Sequence, residues 1–139
     1  MNLYLDCEFN GFGGDLISMA LVAENGIEWY EVLNCHYPNK WVADNVMPKL
    51  NKNPIVHRDF KGSLCDFLEQ FDRIHVIADW PEDISHFCNT LIIKSGLRMR
   101  TPPLTIEIVR VELMPNNSQN PHNALEDARG LKRTLTGSL

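Results

Sequence analysis

Three strand-like runs follow one another with short breaks in the first 35 residues of this chain, and no other feature constrains its fold as strongly. Residues 2–9 (NLYLDCEF), 15–24 (DLISMALVAE) and 27–35 (IEWYEVLNC) carry the apolar, alternating patterns of strands. Asn25-Gly26 separates the last two, and that dipeptide favours a tight type I′ turn. The second and third strands are therefore expected to be antiparallel neighbours. Residues 41–50 (WVADNVMPKL) read as helical up to Pro48. A clearer helix is expected at about 61–73, where Leu64, Phe67, Leu68 and Phe71 share one face at the helical period. Residues 74–79 (IHVIAD) form a short apolar run suited to a buried parallel strand. Ile84, Phe87, Cys88 and Leu91 repeat the helical spacing, 104–113 (LTIEIVRVEL) alternates as a strand, and 114–122 has loop chemistry. A last helix is expected over roughly 124–135.

A meander followed by alternating helices and strands gives an α/β architecture: a mixed β-sheet, an antiparallel three-strand meander plus parallel strands, flanked by helices. This is the element order of the ribonuclease-H-like fold. A chain of 139 residues suits one domain over 1–139 and can bury about two-thirds of its unfolded surface. No run approaches the ~18 apolar residues of a membrane span, and the opening MNLYLDCEF lacks the basic segment of a signal peptide. Cys7, Cys35, Cys65 and Cys88 form no CxxC pair, so a structural zinc site is not expected, and reduced thiols in a cytoplasm are the simpler reading. The net charge of −5 counts against a module that binds nucleic acid by charge alone. It counts less against a metal-dependent nuclease, because bound cations invert the field of a carboxylate cluster.

Candidate chemistry begins with Asp6 and Glu8. Residues two apart on a strand point to one face, so the two carboxylates should project side by side. Their repulsion is relieved by a cation between them, and hard ions such as Mg²⁺ or Mn²⁺ favour oxygen ligands. The pair would otherwise be an ordinary solvated strand face. Asn10, Gly11, Gly13 and Gly14 follow, either as a turn that lets a ligand approach the backbone or as a flexible connection. Asp79 ends the IHVIAD run and Asp83 opens the next helix. Both could face the sheet edge, and Asp83 is preferred as ligand because Ile84 and Phe87 anchor its helix. Asp79 could instead cap that helix, with Pro81 in its first turn. Further on, Asn123 suits an N-cap, with Glu126 placed as in a capping box. Asp127 then falls in the first helical turn, with His122 just outside on a mobile loop. A general base suits such a loop, and a metal ligand suits such a helix.

DCE (Asp6–Glu8), the acid Asp83 and HNALED (His122–Asp127) together resemble the three motifs of DEDDh 3′–5′ exonucleases, whose third motif is His, four residues, then Asp. The chain is most similar to the small RNase AS-like 3′–5′ exoribonucleases, through DCEFNGFGGDLISMALVAENGIEWYEV, the NVMPKL stretch and the HNALEDAR end, which together span most of its length. It departs from them in the second motif: IADWPEDISHF lacks the usual Asn and Phe before the acid and is about one residue short, which keeps Asp79 in contention. The resemblance implies four metal ligands (Asp6, Glu8, Asp83 and Asp127) for two Mg²⁺ or Mn²⁺ ions. It implies His122 as catalytic base and nucleoside 5′-monophosphates as products, and it suggests a homodimer. RNA with a free 3′ end is the expected substrate, although DNA stays open. Phe9 and Asn10 flank the site as candidate substrate contacts. Trp80 is either a base-stacking ring or a packing residue. Lys94, Arg98 and Arg100 either track phosphates or mark a solvated helix end. An RNase-H-like endonuclease and a non-catalytic binding protein are the competing readings.

Overall fold

The computed structural model describes residues 1–110 and 118–137. β1 (Asn2–Phe9), β2 (Leu16–Ala23) and β3 (Glu28–Val32) form the expected meander. They are followed by α1 (Lys40–Asn45), a 3-10 turn over Met47–Lys49, α2 (His57–Glu69) and β4 (Ile74–Ala78). Next come α3 (Pro81–Thr90), β5 (Ile92–Lys94), β6 (Leu97–Arg98), β7 (Leu104–Ile108) and α4 (Ala124–Thr136). One sheet has the order β3-β2-β1-β4-β7. The β1–β2 and β2–β3 pairings are antiparallel, and the β1–β4 and β4–β7 pairings parallel. The protein is thus α/β with a five-stranded mixed sheet. Among the described residues no helix is long and apolar enough to cross a membrane.

Strand alternation divides the sheet's two faces. Leu3, Leu5 and Cys7 of β1 pack with Phe60, Leu64, Phe67 and Leu68 of α2 and Phe87 of α3 in the main core. The even positions of β1 face the other way, where Tyr4 meets Ile77 and Leu131, while Ala20 and Val22 of β2 meet Ala124 and Ala128 of α4. The small residues on both sides of that second interface let α4 lie close to the sheet. Any acid at an even position of β1 therefore points toward the start of α4.

Several boundaries differ from the sequence expectations. The β2–β3 turn is a three-residue loop, not a two-residue type I′ turn. Ala23 pairs directly with Ile27, and within the loop Gly26 has φ 92° while Asn25 is not in the left-handed region. This is the form of a type I turn closed by a glycine bulge. The Asn25 side chain accepts from the Ile27 N–H and Glu24 is tied to Asn2, so both residues before the glycine are already engaged. The helix expected to reach Pro48 stops at Asn45, and the chain tightens into the 3-10 turn around that proline, which has no N–H to donate. α2 starts four residues before the expected 61, with Asp59 in its favourable first turn and Phe60 extending the apolar face. β7 ends at Ile108, and the remainder of the expected 104–113 strand and 114–122 loop lies partly outside the described residues. The β5–β6 hairpin was not anticipated. Its two-residue Ser95-Gly96 turn, with Gly96 at φ 77°, is the signal that could have found it. Lys94 and Arg98 consequently stand on this hairpin and not at a helix end.

Candidate metal centre

β1 outruns its parallel neighbour. It pairs with β4 only over Asn2–Tyr4, while its pairing with β2 continues to Phe9. The far half of β1, carrying Asp6 and Glu8, thus projects past the carboxyl end of β4, the usual place for a site in an open α/β sheet. The β1–β2 register shifts between Glu8 and Phe9, and such a bulge re-aims the side chains beside it.

Two helix starts close on this overhang from opposite faces. Asp127 lies in the first turn of α4, which Asn123 caps by accepting from the Glu126 N–H. The other half of the expected capping box is absent: the Glu126 carboxylate pairs with Arg129, and the Asn123 N–H donates to the Asn120 carbonyl. Asp83 is the third residue of α3 and is 2% exposed. Asp79 does not cap that helix. Trp80 holds the N-cap position without a side-chain bond, and Asp79 sits exposed just beyond β4.

These placements produce two groups of three carboxylates. In each, one oxygen per residue lies within 4.8 Å of the others: Asp6, Glu8 and Asp127 in one group, and Asp6, Asp79 and Asp83 in the second. Asp6 belongs to both. The either-or between Asp79 and Asp83 dissolves, because both approach Asp6, one exposed and one buried. The four acids named from the motifs are brought together, and Asp79 is added to them.

The electrostatics are those of crowded anions. Burial, then the like charges of Asp83, Glu8, Asp127 and Asp79, hold the Asp6 carboxyl well above the usual carboxylate range. Burial and Asp127 push Glu8 up to about 8. Burial, then Asp79 and Glu8, push Asp83 up to about 8. The cleft over these acids, about 450 Å³, is lined by Asp6, Glu8, Asp79, Glu82 and Asp83 and, among the described residues, by no Lys or Arg. Asp6 Oδ2 is buried and has no hydrogen-bond partner among the described residues. A buried, unpartnered carboxylate oxygen beside four other acids, with oxygen donors throughout, fits hard divalent cations.

His122 is in neither carboxylate group. Its ring packs edge-on against Trp41, with centroids 5.0 Å apart, and its backbone N–H donates to Asp127 Oδ2 at 3.1 Å. Its φ of 73° is a left-handed value that histidine tolerates better than most side chains. Two hydrogen bonds hold the described part of this loop. Ser118 Oγ donates to Asp127 Oδ1, and the Lys49 ammonium donates to the Pro121 carbonyl.

Of the two substrate contacts expected beside the motif, Phe9 lines the cleft, its ring 4.9 Å from that of His86. Asn10 is committed elsewhere: its carboxamide donates to the Tyr37 carbonyl and accepts from the Asn39 N–H, tying the turn after β1 to the approach to α1. Gly14 is required by this turn, since a Cβ there would lie 2.0 Å from the Asn10 carbonyl oxygen. Glu82 braces the same turn by accepting from the Gly13 N–H. Trp80 is 55% exposed and lines the cleft. Sequence reasoning missed Trp41, which lines the cleft and fixes the His122 ring. No local pattern marks it, because its partner lies about 80 residues away in the chain. No protein-family model matches this chain, and no curated protein does either.

Proposed function

We propose that this protein is a metal-dependent 3′–5′ exonuclease of the DEDDh type, built on a ribonuclease-H-like sheet, that hydrolyses RNA to nucleoside 5′-monophosphates. The observation that carries the reading is the pair of carboxylate groups that share Asp6. A shared carboxylate between two oxygen-donor sets is what two adjacent cations require. The strand order β3-β2-β1-β4-β7 and the site's place at the carboxyl ends of β1 and β4 also support it.

Asp6, Glu8 and Asp127 would hold one Mg²⁺ or Mn²⁺ ion, and Asp6 with Asp83 and Asp79 a second. When bound, the pair of ions supplies charge stabilisation to the attacking and leaving oxygens of an in-line displacement at phosphorus. The chain's own residues do the rest. His122 accepts the proton of the attacking water at an imidazole nitrogen. Trp41 holds that ring, and Asp127 fixes its backbone. Phe9 and Trp80 offer apolar faces to the terminal nucleotide.

The test is a 5′-labelled single-stranded RNA incubated with Mg²⁺. A ladder shortening from the 3′ end, abolished by chelator and blocked by a 3′-terminal phosphate, is expected. Internal cuts would replace this reading with an endonuclease, and an intact strand would replace it with a binding protein.

A further inference from the structure

Four of the chain's 13 Lys and Arg side chains meet in one groove away from the acids: Arg58 and Lys61 of α2, Arg98 of β6, and Arg100 just beyond it. The groove, about 790 Å³, runs between α2 and the β5–β6 hairpin, and Glu69 is its one carboxylate among the described residues. A local surplus of three positive charges stands out in a chain of net charge −5. The cations are positioned more than neutralised. Lys61 donates to the Ile92 carbonyl, and Arg98 to the Met99 carbonyl and the Thr101 hydroxyl, all uncharged oxygens. Arg58 has only a loose, solvent-exposed approach to Asp59 at 3.7 Å. Ile93, Leu97 and Met99 supply an apolar wall beneath the charges.

The groove also connects to the acid cleft. His57 and Lys61 line both the groove and a smaller pocket that includes His86. The His86 ring stacks on Phe9, which lines the cleft over Asp6 and Glu8. The groove and the acid cleft are therefore linked through shared lining residues and the Phe9–His86 ring contact.

We propose that this groove carries the phosphodiester backbone of a single-stranded nucleic acid whose 3′ end lies in the acid cleft. The polarity of the strand rests on the exonuclease reading above; the groove's affinity for the strand does not. Charge complementarity names the occupant: a polyanion finds its counter-charge here, while its bases pack on the apolar wall. The arrangement separates two tasks on an acidic protein, since the acids serve the terminal phosphodiester and the distant cations retain the body of the strand.

The decisive measurement is fluorescence anisotropy with a 20-nucleotide single-stranded RNA bearing hydrolysis-resistant phosphorothioates at its 3′ end, titrated in Mg²⁺ at several salt concentrations. Each phosphate contact on a single strand adds about 0.7 to the slope of log affinity against log salt. The double variant R58Q/R100Q should bind about an order of magnitude more weakly in 0.1 M salt, with a slope smaller by about 1.4. The charge-matched control R73Q/K132Q, which leaves the groove intact, should bind as the unaltered protein does. Equal affinity and slope for the double variant and the control would overturn the proposal. So would a double variant that loses only self-association in sedimentation, which would assign the groove to a second copy of the chain. Hydrolysis of an unmodified dinucleotide by the unaltered protein reports separately on the exonuclease reading. If the 20-mer binds through the groove but the dinucleotide survives, the exonuclease reading fails and the groove stands.

Discussion

Asp6 carries a buried carboxylate oxygen with no hydrogen-bond donor among the described residues, and four acids crowd around it. Replacing it should therefore separate function from stability. Asp6→Asn is expected to abolish hydrolysis while leaving the metal-free protein at least as stable, because one of the mutually repelling charges is removed. Activity and chemical denaturation in chelator check the two halves, and a large loss of stability would mark Asp6 as structural. Asp83→Asn should cost more activity than Asp79→Asn, because Asp83 is buried and fixed on α3 whereas Asp79 is exposed. A dead Asp79→Asn beside an active Asp83→Asn would reverse that assignment. His122→Ala should lose about 10²–10⁴-fold in rate, the typical contribution of a general base. It should still bind metal, since no carboxylate is removed, and a near-normal rate would leave His122 as a loop residue packed on Trp41.

Elements, not single residues, create the electrostatic problem. β1 brings Glu8, and the start of α3 brings Asp83, into a cleft that no Lys or Arg lines among the described residues. Both groups are raised to about 8 from ordinary values of 4.5 and 3.8. In the unfolded chain they ionise near those ordinary values, while in the folded protein they keep their protons to about pH 8. Between those limits folding takes up protons, so stability is full at the acidic end and falls as pH rises through the window. Thermal unfolding in chelator should show Tm decreasing from pH 5 to pH 8. A Tm that increases over that range would contradict the burial of these acids. α4 offers a second test. Asn123 caps it and also donates to the Lys49 carbonyl, joining α4 to the 3-10 turn. Asn123→Ala should cost about 1 kcal/mol for the cap and a further 1 kcal/mol or more for the orphaned carbonyl, measured by urea unfolding.

At the scale of the whole molecule, cations that bind only the folded state must stabilise it by mass action, about 2.7 kcal/mol at a hundredfold excess over Kd. Mg²⁺ or Mn²⁺ should accordingly raise Tm in a dose-dependent way, most strongly near pH 8, where the acids of the metal-free protein repel one another. Asp6→Asn should blunt the effect, because Asp6 belongs to both carboxylate groups. A Tm indifferent to divalent ions would remove the physical basis for a metal centre.

Local periodicity determined much of this protein without help. Alternation over residues 2–9 put Asp6 and Glu8 on one face, and Leu64, Phe67 and Leu68 at helical spacing gave α2 its buried side. Asn123 marked the start of α4 and therefore the turn that holds Asp127. These features depend on neighbours within a few residues, whose geometry the backbone periods dictate. What only the tertiary structure decided depends on distant segments. That both Asp79 and Asp83 reach Asp6 follows from where β1 passes the end of β4. That Asn10 serves the chain and not a ligand follows from the approach of Tyr37 and Asn39, and that His122 rests on Trp41 follows from the hydrogen bonds that tie the 3-10 turn after α1 to the segment before α4. Chain order carries no distance between such segments. Only the packing of helices onto the two faces of the sheet sets those separations, and with them the geometry of the site.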